Sequence, residues 1–235
     1  AARHTDLLAS LAVSSLKLSS TKKPSRILVV DGMEIIRVGL AKIISAVSNL
    51  IVCATTGDCD EVADLVERHR PHLLIVEPFQ ESRDGIMWIK DLSAKFPETK
   101  ILVASSNAEL NYAERALRAG ASGYWMKTGT ADGILCAIDT VLSGEIYVSP
   151  RIALLAVNKL VGRNLNGDEA LSDLTDRELH VFSLIGAGHG VGRIADTLGI
   201  SRKTVETHCE HIKLKLNYTD ADALKRGARH FLTAA

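Results

Sequence analysis

The sequence predicts an α/β protein: a five-stranded, parallel, doubly wound domain followed by a small all-α domain. Three observations carry this. Aliphatic runs and helical patterns alternate five times between residues 25 and 148. The last third of the chain holds helix caps and a tight turn but no strand-like run. Between the two lies a polar stretch from Gly162 to Gly167, a linker signal.

Each element follows from its pattern. Ile27 to Val30 is a continuous aliphatic run, the mark of a strand buried on both faces. Glu34 to Val47 has helical spacing in Ile35, Val38, Ile43 and Val47. Ile51 to Ala54 is the second strand. Asp60 to Arg70 is a helix stopped by Pro71. Leu73 to Val76 is the third strand, and Ile86 to Phe96 the helix before Pro97. Ile101 to Ala104 is the fourth strand, followed by a helix from Leu110 to Ala119 that ends at Gly120. Gly123 to Met126 is a short fifth strand, and Ala131 to Ser143 a helix ending at Gly144. Repeated β-α units give a parallel sheet between helices, with function expected at the carboxyl ends of the strands.

Pro150 to Val161 reads as a helical connector. Thr175-Asp-Arg-Glu178 is a capping box that opens a helix through Ile185. Arg193 to Leu198 is a short helix, Gly199-Ile200 a turn, and Ser201 the cap of a long helix to Leu216. Ala221 to Phe231 is the last helix. Four segments result: an extension at 1–24, the α/β domain at 25–148, a connector and linker at 149–170, and the helical domain at 171–235.

Composition narrows the function classes. The chain has 235 residues, 46% hydrophobic and 24% charged, which excludes a disordered, collagen-like or coiled-coil chain. Only 4% is aromatic, so the core must be aliphatic. Lys plus Arg equals Asp plus Glu at 28 each, yet the balance is uneven along the chain. Residues 1–24 are net +3 and 25–148 are net −5. Residues 171–235 are net +1 and carry five of the eight histidines. Two domains with different partners are expected. Cys53, Cys59, Cys136 and Cys209 lack CxxC spacing, so they are read as reduced thiols in a cytoplasmic protein. No apolar run reaches the ~20 residues of a membrane span; Leu7 to Leu16, a short amphipathic stretch, is broken by serines. An enzyme reading finds no paired catalytic carboxylates in a cleft, no Ser/His/Asp set and no P-loop. Gly186 to Gly192 imitates a dinucleotide fingerprint, but it follows a helix and lacks a βαβ unit.

In the long helix, Val205, His208, Cys209, Ile212 and Leu216 form one inner stripe. Arg202, Lys203, Thr204, Glu206, Thr207, Glu210 and Lys213 lie elsewhere on it, placed to enter a major groove of double-stranded DNA. Arg193, Arg202, Lys203 and Lys213 are the expected phosphate contacts. Glu206 and Glu210 are acidic, so they can accept from cytosine but repel phosphate. His208 is read as a hydrogen-bonded core histidine.

Two segments resemble one known architecture, the NarL/FixJ family of two-component response regulators. Residues 171–235 resemble its LuxR-type helix-turn-helix through Leu174-Thr-Asp-Arg-Glu178, Ile194-Ala195, Leu198-Gly-Ile-Ser201, Lys203-Thr-Val-Glu-Thr-His208, Ile212 and Lys215-Leu216. Gly188-His-Gly-Val-Gly192 departs from the polar, Lys-containing stretch usual there. Residues 26–148 resemble the receiver domain. The resemblance implies a Mg²⁺-binding carboxylate pair after the first strand and a phosphoryl-accepting Asp after the third. It also implies a hydroxyl after the fourth strand and a Lys after the fifth. Here Asp31 keeps the first carboxylate, Gly32 replaces the second, and Glu77 stands at the acceptor position. Ser105, Lys127 and the aromatic Tyr124 match, as does Asp84-Gly85.

The pocket is therefore degenerate. Losing the carboxylate at Gly32 weakens Mg²⁺ binding, since the ion leans on one or two carboxylates. Glu77 places its carboxylate roughly 1 Å out of line, a misplacement that costs about 10²-fold. The expectation is a DNA-binding regulator independent of ordinary Asp phosphorylation, with no cofactor. Either Glu77 imitates the phosphorylated state or the pocket is retired. The alternative function is an adaptor that dimerises with or titrates another regulator or a sensor protein without binding DNA. A homodimer is expected, paired through the helix from Ala131 (Ile134, Leu135, Ile138, Val141), the helix from Glu34, or the last helix.

Overall fold

The computed structural model describes residues 23–79, 84–107, 109–161, 171 and 173–233. The amphipathic stretch Leu7–Leu16 and the linker Gly162–Gly167 lie outside them.

Five strands form one parallel sheet in the order β2-β1-β3-β4-β5: β1 Ser25–Val30, β2 Leu50–Thr56, β3 Leu73–Val76, β4 Lys100–Ser105 and β5 Gly123–Met126. Strand β3 pairs on both sides and is buried at all four positions, as its aliphatic run requires. The pairing of β1 with β2 shifts register between Ile27 and Leu28.

Helices cover both faces. On one, α1 (Glu34–Ser45) and α5 (Ala131–Leu142) bring Leu40, Ile44, Ile134, Ile138 and Val141 onto Ile27, Val29, Ile75 and Leu102. On the other, α2 (Val62–His69), α3 (Gly85–Lys95) and α4 (Glu109–Arg118) bring Val66, Ile89 and Ala113 onto Leu28, Val30, Leu74 and Val103. Each fully buried aliphatic side chain contributes about 1.5–3 kcal/mol of apolar burial, and truncating Ile75 to Ala costs about 2–5 kcal/mol. The pairing face expected on the helix from Ala131 is corrected here. Ile134, Ile138 and Val141 are fully buried in the domain's own core, which leaves them no partner surface.

Asp84 accepts from Met87 N (3.2 Å) and so caps α3. Gly85 follows because a Cβ there would come within 2.5 Å of the Pro78 carbonyl. The start of α3 can thus lie against the Pro78 carbonyl.

Beyond α6 (Pro150–Leu160), α7 (Asp176–Gly186) begins with the predicted capping box. Glu178 N donates to Thr175 Oγ1 (3.2 Å), and Thr175 N to Glu178 Oε2 (2.8 Å). Helix α8 (Val191–Leu198) starts two residues earlier than its pattern suggests. Gly190 provides an extended cap and accepts from Ile194 N (3.0 Å), so Val191 and Gly192 join the first turn. Gly199 closes α8 at φ +62°, a left-handed turn that suits glycine. Ser201 then caps α9 (Arg202–Lys215) by accepting from Thr204 N (3.1 Å), and α10 (Ala221–Thr233) completes the domain. The core of this domain is Phe182, Leu179, Ile194, Leu198, Val205, Ile212, Leu224 and Phe231. The Phe182 ring meets those of Tyr218 and Phe231 at 6.3 and 5.4 Å.

Candidate functional site

At the carboxyl ends of β1, β3, β4 and β5 the sheet gathers Asp31, Glu77, Ser105 and Lys127, as predicted. Lys127 Nζ lies 2.5 Å from Asp31 Oδ2 and 2.9 Å from Glu77 Oε2. Its side chain is 9% exposed, Asp31 2% and Glu77 13%. Ser105 Oγ donates to Glu77 Oε1 (2.9 Å). Phe79 N donates to the same oxygen (3.2 Å) and Ser106 N to Oε2 (3.4 Å). One buried carboxylate thus takes an ammonium, a hydroxyl and two amides, the donor set that neutralises a buried anion. Asp31 Oδ1 accepts from Met33 N (2.8 Å).

Tyr124 is fully buried, and its hydroxyl donates to the Asn107 carbonyl (2.8 Å). Burial pushes that hydroxyl well above its ordinary titration range against the pull of a Ser105 hydrogen bond, so it remains a neutral donor.

The Mg²⁺ site implied by the family does not fit these residues. Gly32 is exposed and brings no carboxylate. The Lys127 ammonium stands between the two carboxylates that remain. Arg37, which the sequence reading missed, adds a second cation: its Nη1 donates to the Asp31 carbonyl (2.6 Å). Nothing in its spacing marks it, because the contact depends on how α1 leaves β1.

The second candidate is the outer face of α9. Arg202, Lys203, Thr204, Glu206, Thr207 and Glu210 are all exposed, opposite buried Val205 and Ile212. Thr204 is tied to the cap, its Oγ1 2.8 Å from Ser201 Oγ. Thr207 Oγ1 donates to the Lys203 carbonyl (3.0 Å), which leaves its lone pairs facing outward. Arg193 on α8 is exposed on the same domain. Arg202 lies along Gly192, where a Cβ would come within 3.3 Å of Nη2. The departure at Gly188–Gly192 therefore makes room for a cation. Lys213 is drawn onto Glu210 (2.9 Å) and is 20% exposed, so it stands back from the face.

His208 sits on the inner side as expected, but its buried Nδ1 has no hydrogen-bond partner among the described residues, which corrects the hydrogen-bonded reading. Burial pushes this imidazole down against the pull of Glu178, with Arg177 and His211 adding to the lowering. Glu178 itself is buried, with Lys215 Nζ at 2.6 Å.

Residues 27–139 match the response regulator receiver domains, and residues 172–226 match the bacterial regulatory proteins of the luxR family. The oxygen regulatory protein NreC of Staphylococcus haemolyticus is 34% identical over 197 residues, covering 82% of this chain and 91% of that protein. The chain belongs to the LuxR-type response regulators. This is a family of DNA-binding transcription regulators, and the NreC of Staphylococcus epidermidis is a further relative at 33% identity over the same shares. Among solved structures, the regulator shares its fold with RcsB from Salmonella enterica serovar Typhimurium bound to promoter rprA in the presence of phosphomimetic BeF3⁻. That match has a TM-score of 0.68 at 22% identity and covers 91% of this chain and all of that one. A LuxR-family response regulator from Aurantimonas sp. SI85-9A1 matches at 26% identity and TM-score 0.55, over 59% of this chain and 99% of that one.

Where the regulator's two domains meet, the structure places Arg115, which the sequence reading did not single out, and gives Asp84, Asp176 and Arg177 contacts that it did not foresee. Arg115 on α4 reaches Asp176 Oδ1 (2.5 Å) and the carbonyls of Leu171 (3.0 Å) and Leu174 (2.6 Å). Arg177 Nη1 lies 3.9 Å from Asp84 Oδ2, and its Nη2 donates to the Leu198 carbonyl (2.8 Å). Their one sequence signal is the cluster of charges around a capping box, which helix capping alone already explained. Among the described residues no helix is long and apolar enough to cross a membrane.

Proposed function

We propose that this regulator binds promoter DNA without acyl phosphorylation, Glu77 standing in for the phosphoryl group. The observation that carries the reading is the Glu77 carboxylate itself. It engages Ser105 and Lys127, the hydroxyl and the cation that the family directs at a phosphoryl group, at 2.9 Å each. A permanent anion at that place favours a regulator that is always on.

The α9 face supports the DNA half of the proposal. Lys203 and Arg202 serve phosphates at the start of the helix, and Glu206, Thr207 and Glu210 face base edges. RcsB, of the same fold, is solved on promoter DNA. With so few cations a single domain binds weakly, so two copies per site belong to the reading. Ile35 and Val38 on α1, 71% and 58% exposed, remain free to pair. A cytoplasmic location completes it.

The test is a genome-wide map of bound DNA in cells, followed by salt titrations of purified protein on the fragments recovered. Site-specific binding that weakens with salt supports the proposal. Capture of a second regulator with no DNA enrichment turns the assignment to an adaptor.

A further inference from the structure

The contact between the two domains reaches back to the Glu77 pocket. Glu77 Oε1 accepts from Phe79 N (3.2 Å), so the carboxylate fixes where the Phe79 side chain leaves the β3–α3 loop. The Phe79 ring packs on Tyr112 of α4, with centroids 4.5 Å apart. Tyr112 is 5% exposed and shares one apolar cluster and a small cavity with Leu179 of α7, in the helical domain. One turn on, Arg115 grips the entry to α7 through Asp176, Leu171 and Leu174. Phe79, Tyr112, Asp84 and Arg115 share a small cavity with Leu179 and His180. Docked in this way, the helical domain keeps the outer face of α9 exposed.

We infer that Phe79 is a positioning residue that couples the Glu77 carboxylate to the docking of the helical domain, with Arg115 as the clamp. The inference rests on the reading of Glu77 given above and adds its route outward. Docking is stable only while Glu77 holds Phe79, because the ring then stays packed on Tyr112 beside α7. A chain of packed groups carries coupling only if both ends bias one two-state element, and here that element is docked against undocked.

The experiment uses the full chain in a cysteine-free background, with spin labels on two exposed positions, Ser45→Cys and Arg226→Cys. Pulsed electron resonance reads the distance distribution. The parent is expected to give one narrow population. Arg115→Gln removes three charge-assisted bonds and should lower the docked-to-undocked ratio at least about tenfold. Glu77→Ala should broaden the distribution in the parent and add nothing in Phe79→Ala. Phe79→Tyr should restore the parent distribution, which a bulk loss of folding would not. If Phe79→Ala unfolds, Phe79→Leu takes its place in the cycle. Equal effects of Glu77→Ala with and without the ring, or a parent-like distribution in Phe79→Ala, overturn the inference. Acyl phosphorylation and DNA affinity of the same variants report the proposed function separately.

Discussion

The carboxylate pocket and the α9 face use the same kinds of side chain in opposite ways. In the pocket, Asp31, Glu77 and Lys127 are turned inward, the ammonium 2.5 and 2.9 Å from the two carboxylates. On α9, Arg202, Lys203, Glu206 and Glu210 point into solvent from a helix whose other side is core. Charge set against charge compensates itself within the pocket. Charge held out on a rigid cylinder needs a partner to complete it. The pocket is closed on itself and the α9 face is open to solvent.

The largest effect separating the two regions is on stability. Lys127→Ala leaves two buried carboxylates without their cation and should cost about 3–5 kcal/mol in chemical denaturation. Lys203→Ala on the open face should cost less than about 0.5 kcal/mol by the same measurement. Equal costs would erase the distinction.

Base reading comes next. Glu206→Ala should lower discrimination at one base pair by about 1–3 kcal/mol, while non-specific affinity holds or rises. Competition over single-base variants of a bound site measures it, and an unchanged preference profile removes Glu206 from the readers. Glu206 is exposed on the outer face of α9. A smaller effect is expected for Lys203→Ala on DNA. It should weaken binding to all sequences alike and reduce the salt slope by about one.

The smallest effect is on pH. His180 lies where α7 meets the α/β domain; burial pushes it down, against Asp84 and with Arg177. His208 is lowered in the same sense, also by burial first. A histidine held below its ordinary value, about 6.5, folds in its neutral form. That contribution is complete above the ordinary value and is lost as pH falls through it towards the lowered one. Melting of the full chain should therefore shift downward between pH 7.5 and 5.5, and a flat profile there contradicts the assignment. Glu178 behaves likewise further down. Burial raises its carboxyl, but the bonds from Lys215 and Thr175 outweigh that and hold it low, so its contribution fades as pH falls below the carboxylate range.

Most of the architecture was legible because it is periodic. Continuous aliphatic runs such as Leu73–Val76 mean buried parallel strands. Thr175, Ser201 and Gly199 announce helix ends whose hydrogen bonds are local. The pocket residues were legible through the resemblance to receiver domains, which assigns roles to Asp31, Glu77, Ser105 and Lys127 at the strand ends. What depends on contacts between distant residues was not. Arg37 over Asp31 and Arg115 on Asp176 join residues 6 and 61 positions apart, and neither leaves a pattern. Of the three helices considered for pairing, the one from Ala131 falls for a related reason. The stripe of Ile134, Ile138 and Val141 is the same whether it faces its own sheet or a second copy, and only packing decides between them.

The central claim is that the input site is complete without phosphate. The measurement that tests it most directly is intact-mass analysis after incubation with acetyl phosphate and Mg²⁺, with promoter affinity read on the same samples. The unmodified chain should gain no phosphoryl mass and its affinity should not change. The double variant Gly32→Asp with Glu77→Asp, which restores both family carboxylates, should gain one phosphoryl group. A phosphorylated Glu77 or Asp31 in the unmodified chain, with tighter promoter binding, would contradict the account.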